Sequence, residues 1–85
     1  MAKYSYRTQG TCSTQINIEV VNGIVGEVEF IGGCNGNLQG ISKLVKGMAC
    51  AEIVSRLEGI KCGFKPTSCP DQLATALKLI TEKEG

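Results

Sequence analysis

The first third of the chain alternates in polarity, and the rest repeats at helical spacing. From Thr14 to Val21, Ile16, Ile18 and Val20 alternate with Gln15, Asn17 and Glu19, which is the two-residue period of a half-buried strand. Asn22-Gly23 follows directly and favours a type I′ hairpin turn, because both residues accept positive φ. A return strand is expected from Ile24 to Ile31, with Val28 and Phe30 on the apolar face and Glu27 and Glu29 on a solvated one. Tyr4 to Thr8 reads as a third strand, at the sheet edge.

Helical spacing then takes over. Asn37 to Lys46 places Leu38, Ile41 and Val45 on one stripe and ends in Lys46-Gly47, a cationic last turn followed by a capping glycine. Ala49 to Glu58 aligns Cys50, Ile53 and Leu57 and stops at Gly59. Ile60 to Lys65 reads as a short extended crossing with Ile60, Cys62 and Phe64 inward. A last helix from Pro70 to Lys83 stacks Leu73, Leu77 and Ile80, with Ser68 as N-cap and Asp71 three residues beyond it. Strands followed by helices predict an α+β domain, a three-stranded antiparallel sheet with helices packed on one face.

Composition narrows the function classes. Eighty-five residues suit one domain spanning 1–85, small enough to be marginal without a metal, a disulfide or a partner. A net charge of +1 and four scattered aromatics provide neither the basic face nor the stacking platform of a nucleic-acid binder. No apolar run reaches the ~18 residues of a membrane span, and the polar start is not that of a signal peptide. The simplest expectation is a cytoplasmic protein, where clustered cysteines point to metal or redox chemistry rather than structural disulfides. The chain has no histidine, which excludes catalysis by an imidazole base.

Five cysteines are the chemistry this chain carries. Three lie where the chain changes direction: Cys12 in Gly10-Thr11-Cys12-Ser13, Cys34 in Gly32-Gly33-Cys34-Asn35-Gly36, and Cys69 in Thr67-Ser68-Cys69-Pro70-Asp71. Cys34 precedes the first helix and Cys69 opens the last, so both meet the positive end of a helix dipole, which favours the thiolate. In an up-and-down sheet the start of the second strand adjoins the end of the third, so Cys12 and Cys34 should approach each other. A helix crossing the sheet would bring Cys69 to the same edge. Packing near glycine is the plainer alternative. Cys50 reads as core, and Cys62 as core or as a spare ligand seven residues before Cys69.

Zinc or an iron–sulfur cluster takes four ligands, so three cysteines need completion by Cys62, Asp71, a water or a partner. No CxxC pair is present, so the zinc-ribbon signature is missing. An incomplete three-thiolate site is labile and suits transfer or sensing. The loop Gly32 to Asn37 has the glycines of an anion nest but neither a P-loop nor GxGxxG spacing; a tight turn is the plainer reading.

Thr67-Ser68-Cys69-Pro70-Asp71 spells TSCPD, and with the Gly33-Cys34-Asn35-Gly36-Asn37 loop the chain resembles the TSCPD-domain family. That family occurs as small stand-alone proteins and as a C-terminal piece of adenosylcobalamin-dependent ribonucleotide reductases. A more distant resemblance is to NifU/IscU-type iron–sulfur scaffolds, whose three cysteines correspond by position to Cys12, Cys34 and Cys69. Thr14 stands where those scaffolds carry an aspartate, and Ser68 where many carry a histidine.

The cysteine pattern, taken with these resemblances, leads us to expect a non-catalytic domain that holds zinc or an iron–sulfur cluster through Cys12, Cys34 and Cys69, with Cys62 or Asp71 as candidate fourth ligand. It would be an accessory of ribonucleotide reduction, any ribonucleoside-diphosphate reductase activity belonging to a larger partner. A thiol electron-relay module for that reductase and an interaction domain with structural cysteines are the competing readings. The expected partners are a ribonucleotide reductase, a cluster or thiol donor, or a second copy meeting at the exposed edge strand; nucleic acid and membrane are not expected.

Overall fold

The computed structural model describes residues 2–8, 10–11, 13–33, 35–61, 63 and 67–84. Strands β1 (Ala2–Arg7), β2 (Ser13–Val21) and β3 (Ile24–Gly32) are followed by helices α1 (Asn35–Val45), α2 (Cys50–Leu57) and α3 (Cys69–Glu84). The sheet is antiparallel in the order β1-β2-β3. This is an α+β fold with the sheet first and the helices after it.

The hairpin turn forms as its dipeptide requires: Asn22 has φ 51° and Gly23 φ 76°, both in the left-handed region that a type I′ turn uses. The sheet's inner face carries Ile16, Ile18, Val20, Val25 and Val28, which form one core with Val45, Cys50, Ile53, Leu73, Ala76, Leu77 and Ile80 from the helices. Helix α1 packs along β3, and α2 against α3. The outer face is polar and cross-linked. Ser5 donates to Asn17 Oδ1 at 2.6 Å, Gln15 donates to both Ser5 and Asn17 at 2.8 Å, and Asn17 donates to Glu29 at 3.2 Å. Among the described residues no helix is long and apolar enough to cross a membrane.

Two bulges interrupt the alternation. Between Val20↔Val25 and Glu19↔Glu27, β3 has one residue too many, Gly26, so Val25 and Val28 both face inward. Between Ser13↔Gly32 and Gln15↔Ile31 the extra residue is Thr14 on β2. Thr14 therefore lies exposed while Ser13 turns inward and is 2% exposed. Simple alternation continued back from Ile16 would place them the other way round. The bulge reverses it.

The expected extended crossing from Ile60 to Lys65 does not form at its described positions. Ile60 and Lys61 join no strand, and Gly63 lies in a turn at φ 59°. Ile60 is 42% exposed instead of inward. The cause is local: the Ile60 N–H bonds back to the Leu57 carbonyl at 3.4 Å, and Gly59 turns the chain at φ 87°. Cys62, Phe64 and Lys65 lie outside the described residues.

Candidate functional site

Helix α3 begins at Cys69 because its first turn is capped. Ser68 Oγ accepts the Asp71 N–H at 3.2 Å, the N-cap to N3 bond that satisfies one of the orphan donors of a helix start. The same hydroxyl donates to the Ile60 carbonyl at 2.6 Å, which ties the cap to the end of the preceding turn. Pro70 fits the second helical position, where a missing N–H leaves no intrahelical bond unmade.

Asp71 does not complete a reciprocal capping box. Its carboxylate reaches away from the helix, with Oδ1 accepting the Gly59 N–H at 2.7 Å and Oδ2 accepting the Thr67 hydroxyl at 2.5 Å. Gln72 Nε2 donates to Thr67 Oγ1 at 3.1 Å. Thr67, Asp71 and Gln72 thus clasp the chain entering α3 to the chain leaving α2.

The Cys69 side chain is buried at 8% exposure, and its Sγ lies 3.1 Å from Ser13 Oγ. Ser13 comes from the far side of the sequence. It reaches Cys69 because the Thr14 bulge turns it inward. A shell of hydroxyls fixes it there: Thr8 Oγ1 donates to the Ser13 carbonyl at 2.5 Å, Thr11 Oγ1 donates to the same carbonyl at 3.1 Å, and Thr11 Oγ1 lies 3.3 Å from Ser13 Oγ. The backbone between β1 and β2 also meets the helix start. A Cβ on Gly10, at φ 72°, would stand 3.3 Å from Thr67 Cγ2. The end of β3 closes the third side, since Ser13 pairs with Gly32, and Gly32 and Gly33 turn the chain with φ of 78° and 83°.

Three segments therefore converge at one end of the sheet: the β1–β2 connection, the end of β3 and the start of α3. They are the segments in which Cys12, Cys34 and Cys69 occur in the sequence. Of the expected ligands, Cys69 and Asp71 are described; Cys12, Cys34 and Cys62 lie outside the described residues. Among the described residues no group of three or more Cys, Asp or Glu is gathered for a metal. Cys50 is 3% exposed and belongs to the core with Ile53, as its helical face predicts. Both Asp71 oxygens already serve hydrogen bonds, so the carboxylate works as an anchor for the loop. Soft sulfur donors suit zinc or an iron–sulfur cluster better than they suit magnesium or calcium.

Sequence reasoning did not single out Ser13, Thr8 or Thr11. Their role depends on a bulge that places a residue against a helix 56 positions away, and no local pattern announces it.

A profile of the TSCPD domain matches residues 2–81 of the chain. No curated protein and no solved structure matches it.

Proposed function

The chain belongs to the TSCPD-domain family, and from that premise we propose that it is a non-catalytic domain binding zinc or an iron–sulfur cluster through Cys12, Cys34 and Cys69. The observation that carries this reading is the Ser13–Cys69 contact at 3.1 Å, made beside the Ser13↔Gly32 pair. Cross-strand partners have Cα atoms about 5 Å apart, and consecutive Cα atoms are ~3.8 Å apart. Cys12 immediately precedes Ser13, and Cys34 immediately follows Gly33. Chain connectivity thus supports a common site, because thiolates on one zinc have sulfurs about 4 Å from each other.

Cys62 is the preferred fourth donor, since the hydrogen bonds to Asp71 engage both of its oxygens. The bound group would contribute a fixed positive charge that gathers three chain segments, and the residues here would orient the sulfurs. The same reading assigns an accessory part in ribonucleotide reduction, checked by co-purification with a ribonucleotide reductase.

The decisive experiment is elemental analysis of protein purified without oxygen. About one zinc, or one cluster's worth of iron and sulfide, per chain is expected, with loss on Cys69→Ser. Metal-free protein whose thiols oxidise readily would sink the proposal and favour a thiol relay.

A further inference from the structure

Ser13 is 2% exposed, and among the described residues its hydroxyl meets Cys69 Sγ at 3.1 Å and Thr11 Oγ1 at 3.3 Å. A serine hydroxyl carries one proton and accepts through two lone pairs. With Cys69 as a thiol, the S–H donates to Ser13 Oγ and the Ser13 proton turns to Thr11 Oγ1. With Cys69 as an anionic sulfur, the Ser13 proton turns to the sulfur. Thr11 keeps its own proton on the Ser13 carbonyl at 3.1 Å in both arrangements. Both states are satisfied without moving a heavy atom. The two states differ by the thiol proton, which leaves to solvent or is displaced by the metal, and by one rotation of the Ser13 hydroxyl.

We infer that Ser13 is the positioning residue of the Cys69 sulfur, a hydroxyl held 3.1 Å from Sγ and delivered there by the Thr14 bulge. This rests on the reading of Cys69 as a metal-binding sulfur, and it names the residue that sets that sulfur's strength as a donor. The backbone of Ser13 is held independently of its side chain, by the Thr8 and Thr11 hydroxyls on its carbonyl. Removing the Ser13 hydroxyl therefore deletes its hydrogen bond with the sulfur and leaves the Ser13 backbone anchors in place.

The first test uses cobalt(II) alone as a probe on the full chain. A hydrogen bond lowers the energy of the sulfur lone pairs, so Ser13→Ala should move the sulfur-to-cobalt charge-transfer band to longer wavelength. Cobalt affinity should fall about tenfold or more, the usual effect of losing a partner of a metal ligand. Thr11→Val, whose hydroxyl touches Ser13 and not the sulfur, should give a smaller shift in the same direction. A band and an affinity within twofold of the unsubstituted protein in Ser13→Ala overturn the inference. If the unsubstituted protein takes up no cobalt, the metal reading fails, and a second measurement decides the role of Ser13. In metal-free protein the Cys69 S–H stretch, assigned by its loss in Cys69→Ser, should shift to higher frequency in Ser13→Ala. An unchanged S–H spectrum overturns the inference on its own.

Discussion

Replacing Asp71 separates a loop clasp from a metal ligand. Its two oxygens accept from the Gly59 N–H at 2.7 Å and the Thr67 hydroxyl at 2.5 Å. Removing a hydrogen bond to a charged group costs about 1.5–3 kcal/mol. Asp71 is half-buried, and screening by solvent brings each bond to the low end of that range or below it. Asp71→Ala should therefore cost about 2–3 kcal/mol. At ~0.05–0.15 kcal/mol per residue the whole domain holds only about 4–13 kcal/mol, so the melting temperature should fall by roughly 10–20 °C. Asp71→Asn keeps an oxygen for Gly59 and turns an amide toward Thr67 Oγ1, which still has an oxygen to accept with. It should cost about 1 kcal/mol. Urea unfolding followed by circular dichroism measures both variants, and metal content is read on the same samples. The clasp predicts a destabilised alanine variant, a milder asparagine variant and unchanged metal in the latter. An asparagine variant as stable as the parent but stripped of metal would refute this account and make Asp71 a ligand.

Other substitutions test the remaining supports. Cys50→Ala should cost ~1 kcal/mol by thermal melting and leave metal content intact, because Cys50 is buried in the core cluster. Ser68→Ala removes both the cap on the Asp71 N–H and the bond to the Ile60 carbonyl; a loss of about 1–2 kcal/mol in denaturant midpoint analysis is expected. Two glycines should respond with opposite signs. Gly10→Ala forces a side chain into φ 72° and to 3.3 Å from Thr67 Cγ2, costing about 1–2 kcal/mol. Gly40→Ala, inside α1 with nothing within 4 Å of the new Cβ, should stabilise by about 0.5–1 kcal/mol.

The elements whose signals are local were readable in advance. Asn22-Gly23 marked the hairpin, Ile16, Ile18 and Val20 marked the inner face of β2, and Ser68 marked the start of α3. Readability stopped where geometry is set across the fold. The Gly26 bulge had a trace in the sequence, a glycine inside a strand; the Thr14 bulge had none. Thr14 is β-branched and sits comfortably in an ordinary strand, so nothing marked that Ser13 and not Thr14 would face the helices. Asp71 looked like half of a capping box and, from its place beside Cys69, like a ligand. Its true partners are an N–H twelve residues back in Gly59 and a hydroxyl in Thr67. The first of these could not be known until α2 and α3 were packed together.

The pentapeptide Thr67-Ser68-Cys69-Pro70-Asp71 divides its work unevenly. Thr67 and Asp71 bond to each other, Ser68 caps the helix and holds the Ile60 carbonyl, and Pro70 occupies a helical position that needs no N–H. Thr67, Ser68 and Asp71 satisfy backbone and loop groups, and Ser68 and Asp71 do so toward the end of α2 at Ile60 and Gly59. Cys69 points elsewhere, to Ser13 at the end of the sheet. Three residues thus fix the helix start that carries the sulfur, and Thr8, Thr11 and the Thr14 bulge fix the hydroxyl that meets it. Packing alone would need far less, since a small buried side chain tolerates several neighbours and orientations. A sulfur whose backbone is anchored at the helix start and whose Sγ meets a fixed hydroxyl has its direction constrained as well as its place, and the proposed coordination to a metal requires direction.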